Sequence, residues 1–308
     1  MEGADTNAVV KLPLLFEKGE RQMSHEFVLP LFLGSRSPEC AKIALFGACW
    51  DGTSSFKAGS RFAGFAVREA SYGMEEFSCY QLESLLDIPF ADYGDLFLPP
   101  GQKERVLSEV ASAAREIITK GQFPIAFGGE HLLAYPLIMS AHGAFRDLAV
   151  IQMDAHADIR PDMWGDPFTH ATFLGRVADR IGFDNIKQFG VRSASREEWE
   201  LAKRFDTIRP FTIEAIRAHL DSLGDRPVYL TLDMDVLDPS LYPGTGTPEP
   251  GGIAWDLLVE GIKLFRGKRL VGMDCLELCP HYDATGVSAQ TMAKTLRELI
   301  IVANTARR

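Results

Sequence analysis

The sequence predicts an α/β protein with a mostly parallel central sheet covered by helices on both faces. Short apolar runs alternate with amphipathic stretches almost from end to end. The apolar runs are near-continuous rather than alternating, as expected of strands buried on both sides. No internal repeat, low-complexity tract or linker-like shift in composition interrupts the pattern, so one domain over residues 36–308 is the simplest organisation. Residues 1–35 are the least regular and read as an N-terminal arm.

The expected strands, in order, are KIALFGA (Lys42 to Ala48), FPIAFG (Phe123 to Gly128), DLAVIQMDAH (Asp147 to His156), NIKQFGV (Asn185 to Val191), PVYLTLDMD (Pro227 to Asp235) and RLVGMDCLEL (Arg269 to Leu278). Between them, ERVLSEVASAAREIITKG has helical periodicity and ends on a C-capping glycine, Gly121. TIEAIRAHLDSLG opens on an N-capping threonine, Thr212, and a last helix is expected over Ser288 to Thr305.

A hydrophobic content of 46% with 24% charged residues is that of a globular chain able to bury a sizeable core. The net charge of −10 argues against nucleic acid or an anionic membrane as the main partner. No cationic-then-apolar leader and no run long enough to span a bilayer are present. The five cysteines are odd in number and form no CxxC pair, as expected of reduced thiols in a cytoplasmic protein.

In open α/β sheets ligands bind beyond the carboxyl ends of the strands. Those ends carry GGEH (Gly128 to His131), DAHAD (Asp154 to Asp158), DMD (Asp233 to Asp235) and LEL (Leu276 to Leu278). In extended chain, Asp154, His156 and Asp158 project to one face, as do Asp233 and Asp235. Taken singly, each piece has a plainer reading. GGEH suits a turn with a capping glutamate, and DMD before Asp238 and Pro239 suits turn chemistry. Four coincident strand ends favour one shared metal site. His131, Asp154, His156, Asp158, Asp233 and Asp235 offer two imidazoles and four carboxylates, too much negative charge for a single cation. Oxygen and imidazole donors without thiolate fit Mn²⁺ better than structural Zn²⁺.

GGEH, DAHAD, DMDVLDPSLYPGTGTPEPGG (Asp233 to Gly252), MDCLELCPHYD (Met273 to Asp283) and the early DGTSSFKAGSRFAGFAVREASYG together resemble the ureohydrolase superfamily of arginases and agmatinases, over about Lys42 to Asn304. The resemblance implies a three-layer α/β/α fold, two Mn²⁺ per chain and a homotrimer or homohexamer. It implies that His131, Asp154, Asp158 and Asp233 hold one ion and Asp154, His156, Asp233 and Asp235 the other, with Asp154 and Asp233 shared. It further implies that hydroxide attacks a guanidinium held by Glu277, that Asp158 aims the hydroxide, and that His170 in FTHATF delivers a proton to the departing amine. Urea and a primary amine are the expected products. One departure is FGACWDG, where Trp50 replaces a residue before the Asp-Gly pair and is expected to reshape the pocket mouth. His25, His142, His219 and His281 receive no role.

The loop IRPDMWGDPFT lies where a substrate tail should emerge. Asp162, Trp164 and Asp166 suit an alkyl chain with a terminal ammonium, hence a small cationic guanidine such as agmatine. Arg160 instead suits a carboxylate tail as in guanidinobutyrate, or a salt bridge to an aspartate within its own loop. Two readings from other classes stay open: a single-zinc deacetylase of related fold, and a non-catalytic relative.

Overall fold

The computed structural model of the chain describes residues 31–307. Its elements run β1 (Ile43–Gly47), α1 (Ala63–Ser71), β2 (Phe77–Ser78), β3 (Glu83–Ser84), β4 (Phe90–Asp95), α2 (Lys103–Thr119), β5 (Phe123–Phe127), α3 (Ala134–Ala144), β6 (Ala149–Met153), α4 (Phe173–Ile181), β7 (Ile186–Phe189), α5 (Arg196–Phe205), β8 (Ile208–Arg209), α6 (Ile213–Ser222), β9 (Val228–Asp233), α7 (Trp255–Lys263), β10 (Leu270–Leu276) and α8 (Val287–Asn304). Eight strands form one sheet in the order β4-β1-β5-β10-β9-β6-β7-β8. Every pairing in it is parallel.

The two-residue period of the strands divides the core into the two faces of the sheet. Ile43, Leu45, Ile125 and Ile151 pack with Val67 of α1, Ile216 of α6, Leu258 of α7 and Leu296 of α8. Ala44, Phe46, Ala126 and Val150 pack with Val106 of α2, Leu137 of α3, Val177 of α4 and Ala202 of α5. Helices therefore cover both faces, giving the three-layer arrangement.

Local signals set the helix ends. Thr212 accepts a hydrogen bond from the Ala215 amide at 3.1 Å and starts α6. Ser195 and Glu198 form a reciprocal capping box at the start of α5. Beyond α2, Gly121 takes the left-handed φ of +73° that favours glycine.

The edge strand β4 and the short β8 were not expected from the sequence, nor was the β2–β3 hairpin. β4 carries an aspartate, Asp92, whose carboxylate is buried by two bonds from Arg68 of α1, at 2.6 and 2.8 Å. The hairpin docks on α8: Ser78 Oγ and Gln81 Nε2 donate to the buried carboxylate of Glu298, at 2.7 and 2.8 Å. Most of the expected N-terminal arm, His25 included, lies outside the described residues. Of its remainder, Phe32 is buried, and its amide donates to Asp92 at 2.8 Å. No helix among the described residues is long and apolar enough to cross a membrane.

Candidate metal centre and substrate cavity

The four strands whose ends carry GGEH, DAHAD, DMD and LEL are neighbours at the centre of the sheet, in the order β5-β10-β9-β6. Their carboxyl ends therefore open together. The turn after β5 depends on Gly129, with φ +79° and no room for a side chain: a Cβ would lie 2.1 Å from the Ala48 carbonyl oxygen. This close approach delivers His131 beside the ends of β6 and β9. Asp158 and Glu277 are non-glycine residues at positive φ, 54° and 67°. Strained backbone of this kind is tolerated where the fold must aim a side chain.

Six of the expected residues come together. His131 Nδ1 lies 2.9 Å from Asp154 Oδ2, 3.2 Å from Asp233 Oδ2 and 3.5 Å from Asp158 Oδ2. His156 Nδ1 lies 2.9 Å from Asp235 Oδ2 and 3.6 Å from Asp154 Oδ1. Their donor atoms form two groups close enough to hold an ion, His131–Asp154–Asp158 and Asp154–His156–Asp235, with atoms within 4.8 Å of one another; the groups share Asp154.

Electrostatics favour cations at this place. Burial raises the Asp158 and Asp233 carboxyls well above the usual range, and neighbouring carboxylates add to it. Burial alone would hold His131 and His156 neutral, but the surrounding aspartates outweigh it and raise both. Such a cluster takes up protons unless metal ions replace them. Buried His131 Nδ1 and Asp235 Oδ2 make no hydrogen bond despite their close neighbours. Orphaned ligand atoms, one imidazole nitrogen facing three carboxylates and one carboxylate oxygen facing an imidazole, fit divalent ions.

Residues not singled out in the sequence hold these ligands in place. His131 Nε2 is 2.8 Å from Thr231 Oγ1, and Thr231 donates to Asp274 Oδ1 at 2.7 Å. Asp274 also accepts from the Tyr229 hydroxyl at 2.9 Å. On the other side, Gln152 Nε2 donates to Asp154 Oδ2, Gln188 Nε2 to Gln152 Oε1, and Thr207 Oγ1 to Gln188 Oε1 (2.6, 2.6 and 2.9 Å). For all but Thr207, which precedes β8, the one signal in the sequence was a polar residue within a buried strand, which must find a partner.

The cluster forms the floor of a cavity of about 330 Å³ that also exposes His170, Glu277, Arg160, Met163, Phe56 and Glu249. Glu277 Oε1 accepts the His131 amide at 2.8 Å. His170 sits between Ser55 Oγ, 3.1 Å from its Nε2, and Thr53 Oγ1, 3.4 Å from its Nδ1. Burial lowers its pKa to about 4, with His156 acting in the same direction. Thr53 is anchored by the buried Glu130, to which its amide and hydroxyl donate at 2.8 and 2.5 Å.

Several expectations for the rim need correcting. Asp162, Trp164 and Asp166 do not line the cavity. Asp162 caps its own turn by accepting the Gly165 amide at 2.9 Å. Asp166 pairs with Lys103 of α2 and accepts the Phe168 amide. Trp164 is 81% exposed on the loop tip. Arg160 does reach the cavity, but its ion-pair partner is Glu198 of α5, at 3.1 Å, rather than a loop aspartate. Trp50 is buried in the core cluster that includes Phe46 and Leu133, and it does not line the cavity. Its ring covers Gly52, where a Cβ would lie 2.1 Å from the indole.

The sequence pattern of the arginase family matches residues 41–302. The chain is 39% identical over 281 residues to the agmatinase of Bacillus subtilis, covering 88% of this chain and 95% of that one. Among solved structures, the agmatine ureohydrolase of Thermoplasma volcanium superposes with a TM-score of 0.80 at 30% identity, over 91% of this chain and 96% of its own. The proclavaminate amidino hydrolase of Streptomyces clavuligerus superposes with a TM-score of 0.81 at 26% identity, over 91% and 98%.

Proposed function

The chain belongs to the arginase family, and from that premise we propose that it hydrolyses agmatine to urea and putrescine at a pair of Mn²⁺ ions. It is a hydrolase acting on guanidino substrates; agmatine and manganese are the finer reading. The observation that carries it is the convergence on one cavity of the shared-aspartate cluster, the Glu277 carboxylate and the neutral His170.

His131, Asp154, Asp158 and Asp233 would hold one ion, and Asp154, His156, Asp233 and Asp235 the other. When bound, the ions supply Lewis acidity and a nucleophile at neutral pH. Glu277 is held by the His131 amide through one oxygen, which leaves the other to accept from the flat, cationic guanidinium. Asp158, on its strained backbone, reaches the cavity floor and orients the attacking group. His170 is neutral near pH 7, so it can take up a proton and pass it to the departing amine.

A second reading, a guanidine with an acidic tail such as 4-guanidinobutyrate, draws on Arg160, which lines the cavity and, among the described residues, engages only its Nε in a side-chain hydrogen bond. Cytoplasmic location belongs to the main reading, in keeping with five unpaired cysteines. A homotrimer or homohexamer belongs to it too, in keeping with exposed aromatic residues such as Phe62 and Phe65. The Mn²⁺-loaded protein should release urea from agmatine in preference to arginine, 4-guanidinobutyrate and guanidine. Preferred turnover of guanidinobutyrate would replace agmatine as the substrate, and no urea from any of the four would refute the hydrolase reading.

A further inference from the structure

Resting on the reading that the substrate is an aminoalkyl guanidine, we infer that Glu249 receives the terminal ammonium and so determines the enzyme's preference for a cationic tail. The acidic residues of the 162–166 loop are engaged elsewhere, with Lys103 and with local backbone amides. Of the carboxylates on the cavity, Asp158 and Asp233 belong to the metal cluster and Glu277 lies beside it. Glu198 is 3% exposed, and it is occupied by Arg160 and by the Ile159 and Ser195 amides. Glu249 is the remaining one. Its Oε1 accepts from Ser193 Oγ at 2.9 Å, and Oε2 makes no hydrogen bond among the described residues. The carboxylate is 37% exposed, so it can meet a ligand without being desolvated beforehand.

Its position relative to the cluster is fixed. The Arg192 guanidinium donates to the carbonyls of Asp235 and Glu249 at 2.8 and 2.7 Å, and to that of Val236 at 3.2 Å. One planar fork thereby ties the Glu249 loop to the turn bearing a metal ligand. Glu249 Oε1 lies 3.8 Å from His156 Nε2, one imidazole ring away from the donor atom that faces Asp235. Glu277, beside His131, and Glu249, beside His156, line the same cavity, so a guanidinium at the first leaves the second to accept the amine at the other end of its tail. Met163 and Phe56 supply apolar surface for those methylenes. Arg160, the one Lys or Arg on the cavity among the described residues, repels an ammonium from its own side.

The test compares agmatine with n-pentylguanidine, in which a methyl group replaces the amine, using Mn²⁺-loaded wild type and Glu249→Gln. A charge-assisted hydrogen bond of ordinary strength corresponds to about a 10- to 100-fold change. In the variant, KM for agmatine should rise by about that factor with kcat little changed, while pentylguanidine is turned over as by the wild type. Binding of putrescine, measured by calorimetry, should weaken in parallel. Manganese content should stay equal in the two proteins. An unchanged KM for agmatine would overturn the assignment. So would an equal loss on both substrates, or a loss of metal, either of which would make Glu249 a support for His156 instead. If wild type releases no urea from agmatine, it is the proposed function that fails.

Discussion

At the scale of single residues, the candidate ligands are the readable part of the site and their supports are the unreadable part. His131, Asp154, His156, Asp158, Asp233 and Asp235 announce themselves by charge at the ends of apolar strands. Thr231 and Asp274 do not, because an isolated polar residue in a buried strand says nothing about which neighbour satisfies it. The relay Asp274–Thr231–His131 engages Nε2 of the imidazole and leaves Nδ1 facing the aspartates, the arrangement a metal ligand needs. Asp274→Asn should therefore weaken metal affinity about 10- to 100-fold with the fold intact, as titration of the apoprotein would measure; unchanged affinity would remove the relay from the metal site. His170 acts differently, since it touches no ligand donor atom. His170→Asn should leave metal content unchanged and lower turnover by about 10²- to 10⁴-fold in a steady-state urea assay. A wild-type rate would exclude it from proton transfer. Tail recognition was the least legible feature. The loop at 162–166 has the right charges in sequence, but Lys103, 60 or so residues away in the chain, claims Asp166.

Elements follow the same division. The helices α2, α6 and α8 are found within a residue or two of their expected limits, and the strands within three, β6 ending at Met153 where His156 was expected. β4 escaped notice because Asp92 and Gly94 break its apolar run, and only the folded chain supplies Arg68 to neutralise the aspartate. β8 is too short, at two residues, for any periodicity to register. α6 also carries a titratable group with a measurable consequence. Burial, aided by the charges of Lys187, Arg209 and Arg226, lowers the pKa of His219 to about 4. The unfolded chain takes up this proton near pH 6.5 and the native chain does not, so the unfolded state binds more protons between those values. Stability contributed by the neutral imidazole is whole above pH 6.5 and is lost as pH falls toward 4. The melting temperature of the wild type relative to His219→Gln should therefore decline from pH 6.5 to 4 and stay level above pH 7. A constant difference across the whole range would show that His219 titrates alike in both states.

For the whole molecule, the alternation of strands and helices conveys the class, while the order of strands in the sheet comes only from the structure. β5, β10, β9 and β6 stand side by side although 100 residues and more separate the first from the last two in the chain. That adjacency turns four separate motifs into one centre. The chain crosses from β5 to β6 over the positions that β9 and β10 fill later, and the crevice beyond their carboxyl ends becomes the cavity. The most direct test is elemental analysis of manganese in the reconstituted protein and in Asp154→Ala, because Asp154 is the residue shared by both groups. Two ions per chain are expected in the wild type, with both weakened together in the variant. A single ion in the wild type, or full two-metal occupancy in the variant, would contradict a shared-aspartate binuclear centre.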